Sequence, residues 1–126
     1  MSLLRVNQLK KSFPSVDGES TQIVDVDEFY LKESEFCGMH GESGSGKTTF
    51  LHLLAGILSP DSGEIEWLRQ NVGLLSPSER DRLRASAIGY VFQTFNLLQG
   101  FTTLENLKIA MSFAGSSKNQ YAIDLL

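Results

Sequence analysis

A glycine-rich stretch near the middle of the chain limits the possible folds to a small group. It reads Gly41-Glu42-Ser43-Gly44-Ser45-Gly46-Lys47-Thr48-Thr49 and matches the spacing G-x-x-x-x-G-K-[ST] of a phosphate-binding P-loop. Glycines allow backbone N–H groups to close on phosphate oxygens, and the helix that follows points the positive end of its dipole at the same anion. The motif predicts Lys47 at the β- and γ-phosphates and the Thr48 hydroxyl on Mg²⁺.

The segments on either side of this loop fit the strand, loop and helix that the motif requires. Glu35 to His40 is a short mixed stretch that ends as a buried strand would, and Phe50 to Leu58 carries apolar residues at helical spacing. A merely flexible Gly/Ser loop would require neither a strand before it nor a helix after it. We therefore predict a strand before the loop, a helix after it, and a nucleotide as the ligand.

Composition places the chain among ordinary globular proteins. Its 126 residues are 41% hydrophobic and 21% charged, which suits one domain of moderate size. The net charge of −4 and the lack of a basic block argue against nucleic acid. The single Cys37 predicts a buried thiol and a reducing, cytosolic location. No apolar run approaches the ~20 residues of a membrane span, so a membrane role is expected through another subunit.

Three segments have strand character. Leu3 to Phe13 and Thr21 to Leu31 are separated by a turn-rich loop, which predicts an antiparallel pair, and Glu64 to Leu68 alternates as a half-buried strand does. Ala87 to Phe92 is a compact apolar run suited to a fourth, buried strand. That strand would deliver Gln93 into the next loop.

Two capping boxes predict the starts of two helices. Ser76 with Glu79, and Pro77 at the first helical position, predict a helix to about Ala85 with a charged, solvated face. Thr102 with Glu105 predicts a second helix to about Phe113. Gly115-Ser116-Ser117 should end it, and Lys118 to Leu126 begins another helical pattern.

Taken together, these motifs resemble the ATP-binding subunit of ABC transporters, and most of all the lipoprotein-releasing and macrolide-export type. The resemblance covers nearly the whole chain in family order. It is carried, besides the loop Gly41 to Thr49, by Leu9-Lys10-Lys11-Ser12-Phe13, Ser59-Pro60-Asp61-Ser62-Gly63, Ile88-Gly89-Tyr90-Val91-Phe92-Gln93, Asn96-Leu97-Leu98 and Thr103-Leu104-Glu105-Asn106.

The resemblance implies an α/β fold, the P-loop NTPase of ABC ATPase type, with an N-terminal antiparallel β subdomain. The chain is then the N-terminal part, 1–126, of one nucleotide-binding domain. Within it, 1–33 would form the antiparallel strands, 34–58 the P-loop strand and helix, 59–93 a strand, helix and Q-loop strand, and 94–126 the start of a helical subdomain.

The resemblance also assigns roles to residues. Phe13 would stack on adenine, although it could instead be a core residue at a strand end. Lys47 and Gln93 would be the catalytic residues, and Thr48 and Gln93 would hold Mg²⁺. The residues that wrap the phosphates of ATP would be Ser43, Gly44, Ser45, Gly46, Lys47, Thr48 and Thr49. His40 and His52 match no catalytic position of the family and are expected to be structural.

Motifs that the family carries further along are not in this sequence. It has no Leu-Ser-Gly-Gly-Gln signature, no Walker B aspartate with a following glutamate, and no switch histidine. The chain is therefore expected to hold the ATP half-site of a transport ATPase without hydrolysing ATP alone. The missing strands would leave open sheet edges, which invite a strand-exchanged oligomer or a rearranged sheet.

The expected partners are a transmembrane permease subunit, met by the loop Thr94 to Phe101, and a second ATP-binding subunit of the full-length protein. The implied location is the inner face of the membrane. A non-hydrolysing nucleotide-binding or membrane-subunit interaction module stays open as an alternative. A P-loop kinase or GTPase fits less well, because no guanine-specificity motif or acceptor site is present.

Overall fold

The computed structural model describes residues 2–115 and 119–126 and groups the chain into two compact units, one ending at Arg80 and the other beginning at Asp81. In chain order the elements are β1 (Ser2–Pro14), β2 (Ser20–Lys32), α1 (Lys47–Leu54), β3 (Ser62–Trp67), β4 (Gln70–Asn71), a 3-10 turn (Val72–Leu74), α2 (Pro77–Ala87), α3 (Thr103–Phe113) and α4 (Asn119–Asp124).

The four strands form one antiparallel sheet in the order β2-β1-β3-β4. The predicted pairing of β1 with β2 is confirmed, and Val6 in the central strand lies opposite Phe29 on one side and Ile65 on the other. The N-terminal antiparallel β subdomain of the predicted fold class is therefore present.

A break in the register of β1 explains its loose hydrophobic alternation. Leu4, Val6 and Leu9 are all buried, although strict alternation would turn Leu9 to the opposite face from the other two. The pairing of β1 with β3 shifts between Asn7 and Lys10, and Gln8 has a φ of +46°. This bulge inserts one residue and returns Leu9 to the core.

Helix α1 packs on the sheet through its apolar side. Leu53 and Leu54 are buried, and the Phe50 ring meets the Phe29 ring of β2 edge to face with 5.7 Å between centroids. The Trp67 indole at the end of β3 donates a hydrogen bond of 2.5 Å to the Leu54 carbonyl. The helix that follows the glycine-rich loop is thus fixed to two strands.

Both predicted capping boxes are present. The Ser76 N–H donates to the Glu79 carboxylate at 2.9 Å, and the Thr102 N–H donates to the Glu105 carboxylate at 2.7 Å. The helices they start end within two residues of the predicted ends. Gly115 has a φ of +71°, as a helix stop should, while Ser116, Ser117 and Lys118 lie outside the described residues. None of the helices in 2–115 and 119–126 is long and apolar enough to cross a bilayer.

Two predicted strands are not strands. Glu35 to His40 and Ile88 to Phe92 have no regular secondary structure, and the Val91 side chain is 95% exposed. Cys37 is exposed as well, so the prediction of a buried thiol is wrong. A strand is stabilised by a hydrogen-bonded neighbour, and no strand within the described ranges pairs with either segment.

The capping box of α3 makes a prediction about pH. Hydrogen bonds from the Thr102 N–H and hydroxyl hold the pKa of Glu105 below its ordinary value. Since the folded pKa is the lower one, this stabilisation is full above the ordinary pKa and disappears as the pH falls through the lowered one. We expect the wild type to exceed Glu105→Gln in ellipticity at 222 nm at pH 7, with the difference closing in acid. A difference independent of pH would contradict this.

Candidate functional site

The glycine-rich loop closes directly onto the first residue of α1. Gly46 is the N-cap residue with a φ of +89°, and Gly44 has a φ of +80°. The Ser45 N–H donates to the Glu42 carbonyl at 3.3 Å, and the Phe50 N–H donates to the Gly46 carbonyl at 2.8 Å. Positive φ at two positions is why glycine is needed there, and together these turns aim the start of the helix at the interior of the loop.

The start of α1 is receptive to an anion. Its N-cap residue, Gly46, has no side chain to accept a hydrogen bond from the first turn, and no acidic residue lies in that turn. The N–H groups of a helix start have no partners within the helix and carry the positive end of its dipole. An anion held in the loop would satisfy these donors.

Lys47 directs its charge into the loop. Its Nζ donates to the Gly41 carbonyl at 2.8 Å, to the Glu42 carbonyl at 2.6 Å and to the Ser45 hydroxyl at 3.3 Å. All three acceptors are neutral, and none of the salt bridges of the described residues involves Lys47. Within the described residues the Lys47 ammonium therefore forms no ion pair, not even with the Glu42 carboxylate of the same loop.

Space for a ligand adjoins the loop. An open cavity of about 350 Å³ is lined by Ser45, Gly46 and Lys47 on one side and by β2 and Phe50 on the other. A Cβ on Gly41 would lie 2.9 Å from the Ser45 hydroxyl oxygen, so the loop is already closely packed where it turns. The N–H groups at the start of α1, the charge of Lys47 and the volume of the cavity together suit a polyphosphate ligand.

The structure brings together all of the residues expected to wrap the phosphates, because they are consecutive. Ser43, Gly44 and Thr48 are exposed and Thr49 is half-buried. Among residues 2–115 and 119–126, no group of three or more His, Cys, Asp or Glu side chains could hold a metal ion. The Thr48 hydroxyl as a ligand of Mg²⁺ stays a prediction.

Two expected site residues lie outside the loop. Phe13 is near the end of β1, opposite Thr21, and its side chain is 37% exposed, so its ring is accessible. Gln93 is exposed in an irregular segment of the second unit. The roles of Phe13 in stacking and of Gln93 in catalysis and Mg²⁺ binding stay predictions.

The structure also gives a role to Asp61, which the sequence analysis named only within the motif Ser59-Pro60-Asp61-Ser62-Gly63. Its carboxylate receives hydrogen bonds from the Lys11 ammonium and from the Ser12 N–H, both at 2.7 Å. Both donors lie just before Phe13 in β1. The pattern of residues gave no signal for this contact, because the partners are far apart along the chain.

Of the two histidines, His40 lines the cavity, and the His52 carbonyl accepts from the Ile57 N–H at 2.9 Å.

The close approach of Gly46 to β2 makes a prediction about binding. A Cβ on Gly46 would lie 2.6 Å from the Ile23 carbonyl oxygen, on a backbone that L-residues rarely adopt. We expect Gly46→Ala to distort the loop and weaken Mg-ATP binding about tenfold or more, measured by anisotropy of a fluorescent ATP. Gly38→Ala, whose Cβ would meet nothing within 4 Å, is the control and should bind as the wild type does. Equal affinity of the two variants would show that the loop tolerates this change.

An antiparallel sheet, a glycine-rich loop capping a helix, and a lysine turned back into that loop define a P-loop nucleotide-binding fold. Solved structures agree. A dimeric ATP-binding cassette, MJ0796, in a post-hydrolysis state bound to ADP and Pi superposes with a TM-score of 0.85 at 28% identity. The match covers 96% of this chain and 54% of that one.

The family model described as ABC transporter matches residues 24–126, most of the chain, and the chain belongs to that family. The lipoprotein-releasing system ATP-binding protein LolD of Treponema denticola is 39% identical over 118 residues, which are 94% of this chain and 52% of that protein. The methionine import ATP-binding protein MetN 2 of Enterococcus faecalis is 36% identical, with 94% and 34% covered. The chain thus spans about half or less of the length of these relatives. The resemblance drawn from the motifs is confirmed.

Proposed function

We propose that this chain is the ATP-binding part of an ABC transporter subunit and that its loop 41–49 holds the phosphates of Mg-ATP. The observation that carries the proposal is the Lys47 ammonium, which is held inside the loop by neutral oxygens only. A phosphate would replace those oxygens as the acceptor in a stronger, charge-assisted hydrogen bond. The first-turn N–H groups of α1 would donate to the same ligand.

The other site residues complete this assignment. Thr48 and Gln93 would hold Mg²⁺, which when bound supplies positive charge that offsets the charge of the phosphates. Phe13 would stack on the base through its accessible ring. Lys47 and Gln93 are the residues we assign to catalysis in the whole protein, Lys47 by stabilising charge on the γ-phosphate and Gln93 by approaching the attacking water.

The whole protein would couple ATP hydrolysis to transport. Relatives named as lipoprotein-releasing and methionine import ATP-binding proteins support this class of activity. The 126 residues lack the signature, Walker B and switch motifs, so we propose that this chain binds ATP without turning it over. A second ATP-binding subunit would then supply the opposing face, as the dimeric state of the similar cassette suggests. In isolation the chain would self-associate through open sheet edges.

The loop Thr94 to Phe101 is the surface that we assign to a transmembrane permease subunit, at the inner face of the membrane. Its apolar side chains are exposed, with Phe95 at 95% and Leu97 at 64%. The loop nevertheless has a fixed shape, because Asn106 of α3 accepts from the Leu98 N–H at 2.8 Å and donates to the Leu98 and Phe101 carbonyls at 3.3 and 3.4 Å. The same surface supports the alternative of a non-hydrolysing interaction module.

Binding and turnover are separated by one experiment on the purified chain. Mg-ATP is added in excess, bound nucleotide is recovered by rapid filtration, and phosphate release is followed in the same samples. We expect ATP to be recovered intact, with phosphate release at the level of buffer. Release that disappears in Lys47→Ala would mean that the chain already contains a complete catalytic site, and would overturn the half-site assignment.

A further inference from the structure

Asp61 directly precedes β3 and extends the contact of this strand with β1. The last residue pair between β1 and β3 is Lys10 with Ser62, and the Asp61 N–H donates to the Lys10 carbonyl at 2.9 Å. Two residues on, past the last pair of β1 with β3, the Ser12 N–H donates to the Asp61 carboxylate at 2.7 Å. A side chain thus takes the place of the next strand residue at this edge.

The other oxygen of the same carboxylate holds Lys11. The Lys11 ammonium lies 2.7 Å from Asp61 Oδ1, and only 17% of the Lys11 side chain is exposed. These two bonds, first from Lys11 and then from Ser12, keep the pKa of Asp61 below its ordinary value, so the group is charged at neutral pH. We call the three residues Lys11, Ser12 and Asp61 the Asp61 clamp.

The clamp acts where the register of β1 changes. The pairing of β1 with β2 shifts between Lys11 and Ser12, and Phe13 is the next residue. A one-residue slip turns every following side chain to the opposite face of a sheet. By fixing the N–H of Ser12, the clamp also fixes the face on which the Phe13 ring lies.

The clamp touches the ring as well. The Lys11 ammonium lies 5.5 Å from the centroid of the Phe13 ring, within the range of a cation–π contact. Lys11 is therefore shared between the Asp61 carboxylate and the Phe13 ring. The ring, 37% exposed, keeps surface free for a flat partner.

We propose that Asp61 is a positioning residue for base recognition: through Lys11 and Ser12 it holds the Phe13 ring in the orientation that stacks on the adenine of ATP. The inference rests on the proposed function. A purely structural clamp would affect every ligand of the site alike, whereas a clamp that acts through Phe13 affects only ligands that carry a base. ATP and inorganic triphosphate distinguish the two.

The test measures the affinity of the whole chain for Mg-ATP and for inorganic triphosphate with Mg²⁺, by calorimetry. Since stacking of one base contributes about 1–3 kcal/mol, Phe13→Leu should weaken ATP binding about tenfold, and Asp61→Asn roughly three- to tenfold. Neither change should alter the affinity for triphosphate. In the Phe13→Leu background, Asp61→Asn should have no further effect. Glu28→Gln, which breaks the exposed pair of Arg5 on β1 with Glu28 on β2 at 3.5 Å, is the matched control and should match the wild type.

Each contrary outcome has a definite meaning. Equal losses for ATP and triphosphate in Asp61→Asn, or unchanged ATP affinity, would overturn the positioning role. The proposed function, and this inference with it, would be overturned if the wild-type chain did not bind ATP. They would also be overturned if the wild type and Lys47→Ala bound ATP with equal affinity. If Asp61→Asn fails to fold by circular dichroism, Lys11→Met makes the same prediction, because it removes the ammonium and keeps most of the apolar stem.

Discussion

Replacing Lys47 with alanine should lower the affinity for Mg-ATP by about 100-fold or more. Lys47 is the only residue of the loop 41–49 whose side chain is a cation, and its charge has no carboxylate partner within the described residues. Each hydrogen bond to a charged group contributes about 1.5–3 kcal/mol, and we propose that Lys47 reaches two phosphates. Two such bonds correspond to roughly a hundredfold or more in affinity.

The control is Lys32→Ala, which removes an exposed lysine at the end of β2. It removes one positive charge from the chain, as Lys47→Ala does, so it reports any effect of charge in general. Lys32→Ala should therefore bind Mg-ATP nearly as tightly as the wild type. The affinities of the two variants, measured by calorimetric titration, should differ by nearly the whole loss expected for Lys47→Ala. Matching losses would mean that the site attracts ATP by overall charge, without a specific role for Lys47.

Gly63→Ala should destabilise the first unit more than any other glycine substitution in it. A Cβ on Gly63 would collide with the Gln8 carbonyl and lie 2.6 Å from the Leu9 Cα, at a φ of +91°. The left-handed backbone costs an L-residue about 1–2 kcal/mol, and forced displacement in a packed sheet adds about 1–3 kcal/mol. The sum, about 2–5 kcal/mol, is a large share of the ~5–15 kcal/mol that stabilises a typical domain.

Gly18→Ala separates the two causes. Gly18 has a φ of +82° in the turn between β1 and β2, but a Cβ there would meet nothing within 4 Å. Urea unfolding should give a loss of about 1–2 kcal/mol for Gly18→Ala and at least about 1 kcal/mol more for Gly63→Ala. Equal losses would show that only the backbone strain matters and that the sheet yields to the added Cβ.

The parts of the fold that sequence predicted are those specified by neighbours along the chain. A capping box needs only residues such as Thr102 and Glu105, three positions apart, and both boxes start helices as predicted. Strand alternation likewise located β1, β2 and β3. The glycine-rich loop was predictable for the same reason, since its donors and its lysine are consecutive residues.

The features that sequence did not predict depend on partners that are distant or absent. Glu35 to His40 and Ile88 to Phe92 have the composition of strands, but within the described ranges no neighbouring strand pairs with them. The Asp61 clamp joins residues 50 positions apart in the case of Lys11, so no local pattern announces it. Contacts of this kind are set by the register of the sheet.

The hairpin between β3 and β4 was missed for a different reason. Leu68 and Arg69 form its two-residue loop with φ of +50° and +67°. Such loops normally carry Asn or Asp followed by Gly, because those residues adopt positive φ at little cost. This sequence carries none of the usual turn residues. The turn forms because the pairing of the flanking strands overrides the local preference of Leu68 and Arg69.

The central claim is that the loop 41–49 of this chain is folded to receive the phosphates of ATP. It is tested most directly by ¹⁵N-labelling the chain and recording backbone amide spectra as Mg-ATP is added. We expect the largest shifts on the amides of residues 43–49, and we expect them to disappear in Lys47→Ala. Shifts that avoid this loop, or a spectrum unchanged at saturating Mg-ATP, would contradict it.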